Sequence, residues 1–134
     1  MLFCPKSFSV PQIYAEVNNG VYKSGFSTTQ VAYDEAQNRL FGALDGLEAR
    51  LQASRFLMGD RFSQADLWLF PTIVRFDAVY AGIFRCSKHL IRTDYPHIEA
   101  WMRDVWQMQV PGGKLQVGVL FQGALVDLLY CTGI

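Results

Sequence analysis

Between residues 62 and 67 the chain reads Phe62-Ser63-Gln64-Ala65-Asp66-Leu67, and this stretch constrains the fold more than any other. A serine followed three positions later by an acid marks a helix start. Ser63 as N-cap accepts from the backbone N–H of Asp66, and the Asp66 carboxylate reaches back to the N–H of Ser63 in a capping box, with Asp in place of the usual Glu. Phe62 and Leu67 hold the two positions of a hydrophobic staple, and losing such a cap costs about 0.5–2 kcal/mol. Gly59-Asp60 provides a turn just before it. The residues that follow, Leu67 to Phe70 and then Ile73, Val74, Phe76, Val79 and Tyr80, are apolar on nearly every side. That pattern predicts a central, buried helix, kinked at Pro71.

The segment before it has a different period. Tyr33, Ala36, Leu40, Ala43, Leu44, Leu47 and Leu51 recur at intervals of three and four, while Asp34, Asn38, Asp45, Glu48 and Arg50 occupy the other face. This predicts an amphipathic helix of about six turns ending near Ala53, with Ser27, Thr28 or Thr29 as its N-cap. Residues 1–16 read as irregular, punctuated by Pro5 and Pro11, with one short helix within Gln12 to Val21 and a loop after it. Beyond Gly82, a polar connector from Arg85 to Asp94 has room for a short helical turn. Tyr95-Pro96 then opens a further helix with Ile98, Trp101, Met102, Val105 and Trp106 as its apolar face. Residues 109–134 form a divergent apolar tail in which Leu115 to Tyr130 has the composition of one more helix. No stretch has the alternation of a strand, so the fold class is all-α.

Charge narrows the function. Twelve Lys and Arg balance twelve Asp and Glu, which removes the basic footprint of a nucleic-acid binder and the polybasic arm of a membrane-surface protein. Cys4, Cys86 and Cys131 include no CxxC pair and leave an odd thiol, the usage expected of a reduced, cytoplasmic protein. The N-terminus lacks the basic and apolar regions of a secretory signal. The greasy run Val117 to Tyr130 falls short of the ~20 residues a membrane span needs.

Few constellations carry chemistry. Cys4-Pro5 has the form of a thiolate site at a helix start, but only three residues precede it and no βαβ pattern follows. Cys86-x-x-His89 with His97 offers at most three ligands and no fourth in spacing, so no metal is expected; the structural reading is a half-buried thiol and two surface imidazoles. Arg75 and Asp77, placed in the buried helix, read as anchors to other helices. Tyr14, Tyr22, Tyr33, Tyr80, Tyr95 and Tyr130 each offer a phenol able to donate to a substrate oxygen, though most tyrosines pack with the hydroxyl at the rim.

The strings Asn18-Asn19-Gly20-Val21-Tyr22-Lys23-Ser24-Gly25-Phe26 and Val74-Arg75-Phe76-Asp77-Ala78-Val79-Tyr80, with the capping box and Tyr95-Pro96, span residues 17–108. This region resembles the C-terminal helical domain of glutathione transferases of the xi class, the glutathionyl-hydroquinone reductases. The resemblance implies a glutathione transferase C-terminal-like helical bundle that walls an acceptor pocket, beside a thioredoxin-like domain carrying glutathione as co-substrate and a Cys-Pro-Trp nucleophile. In that family the thiolate attacks the glutathione sulfur of the conjugate, the hydroquinone leaves, and a second glutathione regenerates the enzyme. The resemblance assigns Tyr22 to the pocket as a hydrogen-bond donor to the quinol oxygens, with Tyr80 as a second substrate-binding candidate. It also implies a homodimer through the helical domain.

Two departures from the family bear on what this chain does. It has no thioredoxin-like stretch and hence no assignable catalytic residue, and residues 109–134 do not match the family's closing segment, so Tyr130 receives no pocket role. The expectation is an acceptor-pocket domain that is nearly inactive by itself, with a non-catalytic interaction module as the alternative.

Overall fold

The computed structural model describes residues 10–109. The expectations for Cys4, the first nine residues, Cys131 and the tail from Val110 onward, Tyr130 included, lie outside them. Among the described residues the architecture is helical and contains no strand: α1 (Val10–Ile13), α2 (Gly20–Gly25), α3 (Gln30–Ala53), α4 (Gln64–Arg75), α5 (Ala81–Ile83), α6 (Ile91–Asp94) and α7 (Pro96–Gln107). Two wider, π-helical turns are set into this order, Tyr14–Asn18 after α1 and Phe76–Tyr80 after α4. Helical structure therefore begins earlier than the pattern suggests, at Val10, and runs to Gly25 where a loop was expected. The reason is burial, because Ile13, Val17 and Val21 all lie in the core. Pro and Asn at the surface do not outweigh that apolar face.

The amphipathic reading of α3 holds, with Leu40, Leu44 and Leu47 fully buried, Thr29 Oγ1 accepting from the Ala32 N–H at 3.2 Å as N-cap, and the helix ending at Ala53. One buried position on α3 is polar. Gln37 donates its side-chain amide to Ser24 Oγ of α2 and, at 3.4 Å, to the Arg85 carbonyl. α3 packs against α2 on one side and α7 on the other, and α4 contacts both α1 and α7.

The polar face of α3 is more than a solvated surface. Glu48 accepts the N–H groups of His97 and Ile98, each at 2.9 Å, at the start of α7, and its carboxylate is 2.7 Å from His97 Nδ1. Asp45 accepts the Tyr95 hydroxyl at 2.9 Å. Asp77 does the same service for α6, taking the N–H groups of Ile91 at 2.7 Å and Arg92 at 2.9 Å. Carboxylates thus satisfy orphan N–H groups where the helix dipole also favours negative charge. The anchoring role expected of Asp77 is realised; Arg75 is instead exposed.

At the start of α4 the capping box is formed. Asp66 Oδ2 accepts the Ser63 N–H at 3.0 Å and the Ser63 hydroxyl at 2.9 Å. Its other oxygen, Oδ1, accepts the Leu57 N–H at 3.1 Å and the Trp101 indole N–H at 2.9 Å. Asp66 is fully buried, so one carboxylate joins the 54–62 loop, the start of α4 and the middle of α7. That loop turns at Gly59, whose φ of +116° suits glycine alone, and closes with paired Phe56–Gly59 backbone bonds of 2.8 and 3.2 Å. The staple is not the anchor here: Leu67 is 42% exposed, and the ring partner of Phe62 is Phe56, at 5.8 Å. α4 continues helically through Pro71, and its backbone widens afterwards, over Phe76–Tyr80.

Removing the Asp66 carboxylate strands several buried donors at once. We expect Asp66→Ala to cost about 3–5 kcal/mol in urea unfolding, against about 0.5–2 kcal/mol for Ser63→Ala. Equal losses would mean that Asp66 acts only as a local cap. A second prediction concerns alkali. Burial and the bond to Asp45 push the Tyr95 hydroxyl above its usual value of 10.0, so the folded chain holds this proton after the unfolded chain has released it. The stabilisation is complete below about pH 10 and is lost as pH rises beyond it. Urea midpoints measured from pH 8 to 11 should fall, and fall less steeply in Tyr95→Phe; an unchanged slope would contradict the assignment.

Candidate functional site

The two wide turns face one groove. Tyr14 and Asn18 come from the first, Tyr80 from the second, and Tyr22 from α2 stands between them. The opposite wall is the outer face of α4, where Trp68, Pro71 and Arg75 line an open cavity of about 480 Å³. This revises the reading of α4 as buried all round. Leu69, Phe70 and Ile73 are in the core, but Leu67 and Trp68 are each 42% exposed because nothing among the described residues covers that face. Single-turn π segments within helices are frequent at functional sites, and here the wider backbone turns bring aromatic side chains to a common opening.

Asn18 ties the walls together. Its side-chain amide donates to the Trp68 carbonyl at 2.9 Å, crossing from the first turn to α4. Its own carbonyl oxygen, Oδ1, is buried and has no hydrogen-bond partner. An unpaired buried acceptor is costly, typically about 1–3 kcal/mol. Tyr14 sets its ring edge-on to Trp68 at 6.3 Å, extending the aromatic wall.

Tyr22 and Tyr80, 58 positions apart in sequence, meet in the groove. Their hydroxyls are 3.4 Å apart, long for an O–H···O bond, so both oxygens retain capacity for a third partner. Tyr22 is 41% exposed and Tyr80 only 6%. Phe84 holds both, tilted on Tyr22 at 5.2 Å and stacked on Tyr80 at 5.5 Å. Phe84 gets this close to α2 because residue 25 is glycine: a Cβ there would lie 2.5 Å from the Phe84 ring. Burial, reinforced by the Tyr22 hydroxyl, pushes the Tyr80 phenol up to about 12, while the Arg75 guanidinium acts in the opposite direction. Tyr80 is consequently a protonated donor across the neutral range.

The remaining candidates fall elsewhere. Tyr33 donates to the Arg85 carbonyl at 2.7 Å, and Tyr95 to Asp45, so both hydroxyls are structural. Cys86 was expected half-buried and is fully buried, its Sγ 3.7 Å from the Phe84 carbonyl and its thiol pushed up by burial, because the turn after α5 folds it beneath α2. It has no thiolate to offer. His89 lies edge-on to Phe41 at 5.6 Å and His97 is held by Glu48, so the two imidazoles are engaged separately. Among the described residues no group of three or more His, Cys, Asp or Glu is placed to hold a metal ion. Sequence reasoning missed Trp68, Asn18 and Arg75. The Asn18-Asn19-Gly20 string was visible, but only the packed helices show that Asn18 reaches α4.

Comparison with known proteins agrees with this architecture. Residues 30–104 match the family "Glutathione S-transferase, C-terminal domain". The chain is 53% identical over 87 residues to the glutathionyl-hydroquinone reductase PcpF of Sphingobium chlorophenolicum, covering 65% of this chain and 28% of that relative. It is 49% identical over 96 residues to the glutathionyl-hydroquinone reductase YqjG of Escherichia coli (strain K12), covering 72% and 29%. The glutathione-bound structure of YqjG superposes with a TM-score of 0.75 at 40% identity, over 91% of this chain and 40% of that one. The chain thus spans less than a third of the length of these curated relatives and matches their C-terminal part. With its all-helical fold, its formed capping box and a family match over residues 30–104, the chain belongs to the glutathione S-transferase C-terminal domain family.

Proposed function

We propose that this chain is the acceptor-pocket domain of a glutathione-dependent reductase of glutathionyl-hydroquinones, and that residues 17–108 form the unit carrying the pocket. The observation that carries this reading is the Tyr22–Tyr80 hydroxyl pair at the mouth of an aromatic groove. Flat aromatic walls from Trp68 and Tyr14 suit a quinol ring, and the two phenols suit its oxygens as donors. Glutathione enters as co-substrate, and its attacking thiolate must come from outside the described residues, since Cys86 is buried and protonated. Orientation without a nucleophile leaves the domain by itself close to inactive.

Two further parts of this reading rest on features outside the groove. A cytoplasmic location fits the reduced-thiol pattern, and no helix among the described residues is long and apolar enough to cross a membrane. Self-association through the helical domain fits the exposed Phe26 and Ile83, each 71% accessible. That same surface is what favours the second reading, a non-catalytic docking module.

The test is a titration of the purified chain with a glutathionyl-hydroquinone, followed through Trp68 emission, with Trp68→Phe as the control for signal. Saturable quenching is expected. Tyr22→Phe and Tyr80→Phe should each weaken binding by about three- to tenfold, the loss of roughly one hydrogen bond. Absence of quenching, or affinities unchanged in both variants, would return the tyrosines to a packing role and favour the docking module.

A further inference from the structure

Among the described residues that line the groove there is no Asp or Glu, and Arg75 is the sole charged side chain. Arg75 sits on the last turn of α4, exposed, and forms no ion pair with a carboxylate among the described residues. Its guanidinium is close enough to the Tyr80 hydroxyl to favour that phenol's anionic form against burial. Two other arginines among the described residues are paired with acids. Arg55 is bidentate to Asp104 at 2.8 and 3.0 Å, and Arg103 bonds Glu99 at 2.7 Å.

A guanidinium with no carboxylate partner among the described residues, beside two phenolic hydroxyls, is a recognition set for an oxyanion. Its planar fork can donate two parallel hydrogen bonds to a two-oxygen anion, or one to a phenolate. Resting on the reading of this groove as the acceptor pocket, we infer that Arg75 is a specificity-determining residue: it selects aromatic acceptors carrying an anionic oxygen over neutral ones of the same shape. Tyr22 and Tyr80 donate to neutral and charged oxygens, somewhat more strongly to charged ones, whereas Arg75 adds a favourable charge interaction with the anion alone. The substrate class is thereby narrowed to quinols that ionise readily or bear an acidic substituent.

The 134-residue chain is titrated at low salt with 2-naphthoate and with 2-naphthamide, a neutral partner of matching shape, reading Trp68 emission. Naphthoate should bind about five- to tenfold tighter. The preference should fall most in Arg75→Gln, less in Arg75→Lys, and shrink as salt is raised. Circular dichroism of both variants confirms that each is folded, as expected for an exposed side chain. Equal binding of the two ligands by the parent chain, or a preference undiminished in Arg75→Gln, overturns the role of Arg75 while the amide's own binding still supports the groove as an acceptor site. Binding of neither ligand overturns both readings together.

Discussion

A buried carboxylate is expensive to hide, and Asp66 is hidden completely. Four donors offset that cost: the N–H and hydroxyl of Ser63, the N–H of Leu57 and the indole of Trp101. Because those donors belong to the α4 start, the preceding loop and α7, the same requirement that each be satisfied also sets where these three segments lie. The orientation of α4 follows, and with it the placing of Trp68, Pro71 and Arg75 on one outer face.

The groove is a consequence of that placement. α4 has apolar residues to spare, and its inner face already fills the core with Leu69, Phe70 and Ile73. The remaining ones face the wide turn of Tyr14–Asn18, where the Asn18 amide is bonded to the Trp68 carbonyl. The second wide turn then brings Tyr80 to Tyr22, and Gly25 leaves the space in which Phe84 braces both rings. Stability and function meet at the same helix: its inner face contributes burial, its outer face a surface with aromatic walls and few but directed polar groups.

Much of the fold is readable before any coordinates exist. The three-and-four spacing along α3, the Ser63–Asp66 box and Pro96 at the first position of α7 are local signals, set by backbone geometry within a turn or two. The sequence places Asp45 and Glu48 only on the face of α3 opposite its apolar stripe, yet each serves a partner some fifty residues away. Nothing in their local spacing distinguishes an acid in water from one capping a distant helix. The burial of Cys86 and of Gln37 was hidden for the same reason.

The sequence by itself determined the helical class, the main helix boundaries and, through two short strings, the family. Tertiary structure alone decided that Tyr22 and Tyr80 meet, that Asn18 leaves an unpaired buried acceptor, that α4 keeps one face open, and that Arg75 stands in the groove without a carboxylate among the described residues. Helix signals are local because hydrogen bonds run from residue i to i−4. Pairings across the groove join residues as many as 58 positions apart, and only the packing of whole helices settles which of their faces meet.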